Sequence, residues 1–237
     1  MKKLGFLLLT LLWAGPASAD LLAGVFQDHA VLQRDAPIHV WGHAQPGADV
    51  TVSLAGNSTQ AHADADGSWR ASLPAMPAGG PYVLSAKAGG GEQDVRDMLV
   101  GDVWLCSGQS NMVLQVRRTL DSRSEIENAN NDSIRMFTVP DVASPTSLAD
   151  FPQRPEWRPT TPATVGDFSA TCYYFARELQ KKVHVPLGLI NASWGGSKIR
   201  TWMSAAALHQ NGAFDDGLNI LALYADDPVR GAAPFGS

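Results

Sequence analysis

Residues 101–112 read Gly-Asp-Val-Trp-Leu-Cys-Ser-Gly-Gln-Ser-Asn-Met. An apolar, β-prone run (Val103, Trp104, Leu105, Cys106) ends in a small polar turn that offers two hydroxyls, Ser107 and Ser110. A buried strand stopping at such a turn sets a hydroxyl at the carboxyl rim of an α/β sheet, where acyl-transfer chemistry places its nucleophile. Gly108 permits the sharp change of direction, and Ser110 is the candidate nucleophile. The backbone N–H of Ser110 or of a neighbour can face a developing oxyanion. Gln109 and Asn111 stand at the same rim, as amides able to orient a substrate or donate to that oxyanion. Ser107 lies nearer the strand and is placed to bond within the turn. The same residues would also serve a plain strand-to-helix turn capped by Ser and Asn.

A second such block occupies residues 188–203: Gly-Leu-Ile-Asn-Ala-Ser-Trp-Gly-Gly-Ser-Lys-Ile-Arg-Thr-Trp-Met. Again an apolar run enters small polar residues, here with Gly195 and Gly196. Paired glycines let a backbone approach a ligand and aim its N–H groups inward, so either is a candidate second oxyanion donor. A glycine turn with Trp194 and Trp202 packed as core is the competing reading. The histidines, at 29, 39, 43, 62, 184 and 209, have no Asp three residues before them. None stands out as a general base.

These two blocks need a scaffold to bring them together. Residues 98–106 read as a strand buried on both faces. Residues 173–182 read as a helix with Tyr174, Ala176 and Leu179 on one side, ended by Pro186, and 187–190 as a short buried strand. Strand, helix, strand implies a parallel α/β sheet, with both blocks on one edge. Residues 121–162, rich in Asn, Ser, Pro and Asp, read as long surface loops around one strand at 134–139. Upstream, residues 21–97 carry short period-two runs at 38–42, 50–54, 69–73 and 82–85, separated by Gly, Pro and Asn turns. That texture implies an antiparallel β-sandwich, with Asp66-Gly67 as a hairpin turn.

Composition fits a folded protein: 237 residues, 45% hydrophobic and 17% charged. A net charge of −5 and the lack of a basic stripe argue against nucleic acid as a partner. Lys2 and Lys3, an apolar run at 4–13 and Ala17-Ser18-Ala19 read as a cleaved secretory leader over residues 1–19. This implies an exported protein, periplasmic or secreted, with no membrane contact after cleavage. Cys106 and Cys172 are the two cysteines, read as buried free thiols, although export permits a disulfide. No metal-ligand cluster is visible, and no cofactor is called for.

Three blocks then carry a resemblance. Residues 101–112, residues 168–170 with 173–179 (Phe-Ser-Ala, then Tyr-Tyr-Phe-Ala-Arg-Glu-Leu), and residues 185–191 leading to 194–197 and 202–204 resemble the sialate O-acetylesterase family of SGNH-type carbohydrate esterases. The segment 24–34 also looks like the start of that family. After the β-sandwich domain that the strand pattern gives (20–97), the resemblance implies an incomplete α/β/α flavodoxin-like SGNH hydrolase domain (98–237). It implies Ser110 as nucleophile, removing O-acetyl groups from sialic acid or another sugar through an acyl-enzyme, with Ser110 and the Gly195-Gly196 turn donating to the oxyanion. The family takes its base from an Asp-x-x-His motif, which residues 1–237 lack. The base is therefore expected beyond Ser237, in a chain read as the N-terminal portion of a longer esterase. Such a portion is expected to be nearly inactive and to expose apolar faces. Thr171-Cys172 stand where smaller residues are expected. Two alternatives remain: a non-catalytic carbohydrate-binding module presenting its tryptophans to sugar rings, and a related acetylxylan-type esterase.

Overall fold

The computed structural model describes residues 20–232, and the leader read at 1–19 lies outside them. The alternating runs fold as strands: β1 (Val31–Gln33), β2 (Ile38–His43), β3 (Asp49–Leu54), β4 (Asn57–His62), β5 (Ser68–Leu73) and β6 (Gly79–Ala88). β2 and β5 pair antiparallel as a separate two-stranded sheet. Ile38 and Val40 of β2, Val50, Val52 and Leu54 of β3, and Trp69, Ala71 and Leu73 of β5 all turn inward. They meet Leu84 and Ala86 of β6 in one core. Period-two burial follows from strands with a single buried face. Ala55 and Gly56, both at positive φ, close the β3–β4 hairpin in the sense that strand twist favours. The expected Asp66-Gly67 hairpin does not form. Gly67 does take φ 83, but β4 and β5 belong to different sheets, so the turn carries the chain between layers.

β7 (Gly91–Gly108) changes partners along its length. It pairs antiparallel with β6 as far as Val100, and residues 99–101 pair with β1. Residues 102–108 pair in parallel with β10 (Leu187–Ser193). β8 (Asn131–Thr138) lies parallel to β10 on its other side, and β9 (Trp157–Thr160) closes the edge antiparallel to β8. The large sheet thus runs β4-β3-β6-β7-β10-β8-β9. Eighteen residues of strand reach roughly 60 Å at about 3.3 Å each. The architecture is a mixed sheet with helices. β7 runs on through residues 97–98 with an irregularity in its pairing to β6 where Asp97 takes positive φ, and Phe137 and Trp157 join the same core as Val50 and Leu84.

The helices are α1 (Ser110–Val113), α2 (Ser122–Asn128), α3 (Ala170–Val183), α4 (Ala205–Asn211), α5 (Asp215–Asp226) and α6 (Pro228–Ala232). α3 is the helix read at 173–182, begun a few residues earlier by its N-cap Ser169, whose hydroxyl accepts from the Cys172 N–H at 3.3 Å. It lays Cys172, Tyr173 and Ala176 over Ile134, Met136, Leu187 and Leu189. His184, at φ 51, ends it. Residues 121–162 hold more structure than expected, since α2 and β9 lie there beside β8. β9 escapes a sequence reading because it is four residues long and contains Pro159, which an edge strand tolerates.

Residues 98–106 form strand, but they are not buried on both faces. Met98, Leu99, Val100 and Cys106 are buried, whereas Trp104 is 41% and Leu105 68% exposed. The reason is local. Among the described residues, 102–108 have β10 as their one paired strand. α3 covers only the Trp104 side, where Phe175 meets the indole edge-on at 4.9 Å.

One ionic cluster links β7, β8 and the segment before β1. Asp97 sits in β7 at φ 53. The side chain of Arg135 from β8, only 4% exposed, donates Nη1–H to Asp97 Oδ2 at 2.7 Å. His29 Nδ1 lies 2.6 Å from the same oxygen. Burial pushes the Asp97 carboxyl up, but the hydrogen bonds and charges of Arg135 and His29 outweigh it and hold the pKa below its ordinary value.

Candidate functional site

The parallel register sets Gly108 of β7 opposite Ser193 of β10, so both strands deliver their carboxyl ends to one edge. Gly108 takes φ 143, a conformation that L side chains rarely adopt. The chain leaves the strand there, and Gln109 precedes the single turn α1 that begins at Ser110. Met112 N–H and Val113 N–H both donate to the Gln109 carbonyl, at 2.8 and 3.0 Å. At the start of any helix the first N–H groups have no acceptor within it, so those of Ser110 and Asn111 are available to a ligand. Gln109, Ser110 and Asn111 are all exposed. Ser110 Oγ makes one long hydrogen bond, to Gln109 Oε1 at 3.4 Å. Among the described residues no histidine is bonded to it.

The second block arrives beside the first. Trp194 N–H donates to the Gly108 carbonyl at 2.9 Å, joining the two loops. Gly195 and Gly196 follow at once, with Gly196 at φ 75, and open space surrounds both. Trp194 and Trp202 are not core, since each is about 40% exposed. Trp202 Nε1–H donates to Ser197 Oγ at 3.0 Å, and that hydroxyl donates to the Trp194 carbonyl at 2.7 Å, which fixes the loop. The structure thus brings Gln109, Ser110 and Asn111 to the same edge as the Gly195-Gly196 turn. Ser107 is still within β7, opposite Ala192.

The amino end of α3 supplies the third wall. Thr171 Oγ1–H donates to the Asn111 carbonyl at 2.9 Å, and Ala170 N–H to the Leu114 carbonyl at 2.7 Å. Ser169 Oγ lies 3.4 Å from Met112 Sδ. Cys106 and Cys172 are joined as a disulfide, with their Cα atoms 5.9 Å apart, within the usual range for such a bridge. The reading of free thiols is therefore corrected. Sequence alone does not show that α3 crosses β7 at this height, which is what brings the two sulfurs together. The roles of Ser169 and Thr171 also went unread. The one available signal was that Thr171-Cys172 break the resemblance at this point.

Elsewhere, a cleft of about 530 Å³ lies between Trp41, Val139, Phe151 and Ile190, apart from Ser110. Among the described residues no group of three His, Cys, Asp or Glu gathers as a metal site.

Fold and site together define a mixed α/β unit that presents a serine at the carboxyl edge of its parallel strands. Residues 100–218 match the family model of the carbohydrate esterases described as sialic acid-specific acetylesterases, and the chain belongs to that family. It is 34% identical to human sialate O-acetylesterase over 258 residues, covering 99% of this chain and 46% of the human protein. It is 33% identical to mouse sialate O-acetylesterase over 204 residues, 78% of this chain and 38% of that protein. A crystal structure of a carbohydrate acetylesterase from Xanthomonas citri superposes with a TM-score of 0.77 at 45% identity, over 79% of this chain and 43% of that one. The chain spans less than half the length of these relatives.

Proposed function

We propose that this chain carries the nucleophile of a carbohydrate O-acetylesterase acting on acetylated sugars. The observation that carries this reading is Ser110 opening a turn at the shared carboxyl edge of β7 and β10, inside the family match. In the first step Ser110 Oγ bonds to the acetyl carbonyl carbon as its proton passes to a general base. The carbonyl oxygen becomes an oxyanion, held by the Ser110 N–H and by Gly195 or Gly196. Gln109 and Asn111 orient the ester. Collapse breaks the bond to the sugar oxygen, which leaves protonated, and water then releases acetate from acetyl-Ser110. The resemblance implies the His of an Asp-x-x-His motif as that base, and residues 1–237 hold no such motif. Without it the serine is a poor nucleophile. Export to an oxidising compartment agrees with the Cys106–Cys172 bridge.

The sialate O-acetylesterase relatives favour sialic acid as the sugar. Acetate release from O-acetylated sialic acid, compared with acetylated xylo-oligosaccharide, decides between that and the xylan-type reading. In the full protein encoded by the gene, Ser110→Ala should abolish release on the preferred ester without unfolding. Near-normal turnover by that variant would refute the assignment. The half-exposed Trp194 and Trp202 support a second reading, sugar binding without turnover. It predicts that the full protein binds glycan and releases no acetate.

A further inference from the structure

α1 should not be stable by itself. It is four residues long, has no buried residue, and receives no side-chain cap from Gln109. Isolated helices of that length do not persist in water, because the first turn fixes several residues for a single hydrogen bond. Yet it is the element that aims Ser110. Met112 rests on the core beneath it, and the polar contacts that reach the turn from another element come from one place. Thr171 holds the Asn111 carbonyl, Ala170 holds the Leu114 carbonyl, and Ser169 meets the Met112 sulfur. All three belong to the cap and first turn of α3. That turn is in turn bonded covalently to β7 through Cys172 and Cys106, four residues before Ser110. Both cysteines are buried, and Cys172 lies within the core beneath α3.

We propose that the Cys106–Cys172 disulfide and the Thr171 hydroxyl form a clamp that positions the Ser110 turn. The proposal rests on Ser110 being the nucleophile only for its catalytic consequence. The clamp itself is a claim about order in residues 109–114. Two restraints act in series: the disulfide fixes the height of α3 against the strand, and Thr171 transfers that position to the turn. Both act through the turn that carries Ser110, so both are positioning residues. Reduction of the bridge would loosen the turn while leaving the hydrophobic contacts between α3 and the sheet in place.

The test is hydrogen exchange at the amides of Met112, Val113 and Leu114, which donate within the turn. Three variants are compared: Cys106→Ala with Cys172→Ala, Thr171→Ala, and Thr171→Ser. The double variant should exchange about tenfold faster or more at these amides, with those of β8 and β10 unchanged. Thr171→Ala should give about a fivefold increase, and Thr171→Ser, which keeps the hydroxyl, should restore the slow rate. In the full protein both loosening variants should lower kcat with KM unchanged. Unaltered exchange at residues 112–114 in the double variant and in Thr171→Ala overturns the clamp. If the double variant does not fold, the Thr171→Ala and Thr171→Ser pair decides alone. Faster exchange in the clamp variants, together with full acetate release by Ser110→Ala, would uphold the clamp and remove the nucleophile assignment.

Discussion

Replacing Asp97 by Asn removes one charge from the Asp97–Arg135–His29 cluster and little else. Asn tolerates the left-handed φ of 53 better than most residues, so the backbone is not strained by the change. What remains is the Arg135 side chain, 4% exposed and without its counter-charge. Stripping one partner from a fully buried ion pair costs about 3–5 kcal/mol. The Asp97 side chain is 35% exposed, and solvent screening brings the expected loss down to about 2 kcal/mol. The assay is urea unfolding at neutral pH. With a slope of about 2–3 kcal/mol/M for a chain of this size, the midpoint should fall by about 0.7–1 M at unchanged slope. The pH dependence has a definite sign. The folded pKa of Asp97 lies below its unfolded value, so the carboxylate's contribution is complete above about pH 4 and is lost as the pH falls through the lower, folded value. Wild type and variant should therefore converge as the pH falls through the carboxylate range. A midpoint shift under about 0.2 M at pH 7, or a gap that stays undiminished once the carboxylate is protonated, would refute the reasoning.

Other expectations follow from single contacts. Phe137 is buried against Trp157 and Phe151, with ring centroids 5.1 and 5.5 Å away. Phe137→Ala should cost about 3–5 kcal/mol, read in thermal unfolding as a fall of about 10 °C; a fall under about 2 °C would contradict the packing. Gly108→Ala places a Cβ in ordinary contact with Met112 Cβ at 3.6 Å, so its cost comes from φ 143 and not from a clash. That conformational strain is worth about 1–3 kcal/mol, and acetate release by the full protein should fall more than stability does. Equal losses in the two assays would mean that the turn does not aim Ser110.

The parts of this fold that were legible in the sequence are those whose signal is local. Period-two burial marked β2, β3 and β5, and the one-sided spacing of Tyr174, Ala176 and Leu179 ahead of Pro186 marked α3. Two strand ends rich in Ser and Gly showed which blocks share an edge. The remainder depended on pairings between distant residues. β4 is polar but for Ala61 and is held as a strand by its pairing with β3. The length of β7 is hidden because it changes partners at residues 100–102, and no periodicity records that change. The Asp97–Arg135 pair, 38 residues apart, and the Cys106–Cys172 bridge, 66 apart, depend on how β7 is flanked. Around Ser110, the turn was visible in the sequence and its supports were not.

The double allegiance of β7 also bears on how the chain is made. Its first half can pair with β6 as soon as both emerge, since they are adjacent in sequence. Its second half, with Trp104 and Leu105, has no strand to join until residues 187–193 have been synthesised. For that interval an apolar strand with unsatisfied N–H and C=O groups stands open, the condition under which nascent chains aggregate. Pairing of such high contact order is also intrinsically slow. The segment that aims the serine is therefore among the last to be secured, and a holding chaperone acting on the nascent chain would find its natural target at residues 102–108.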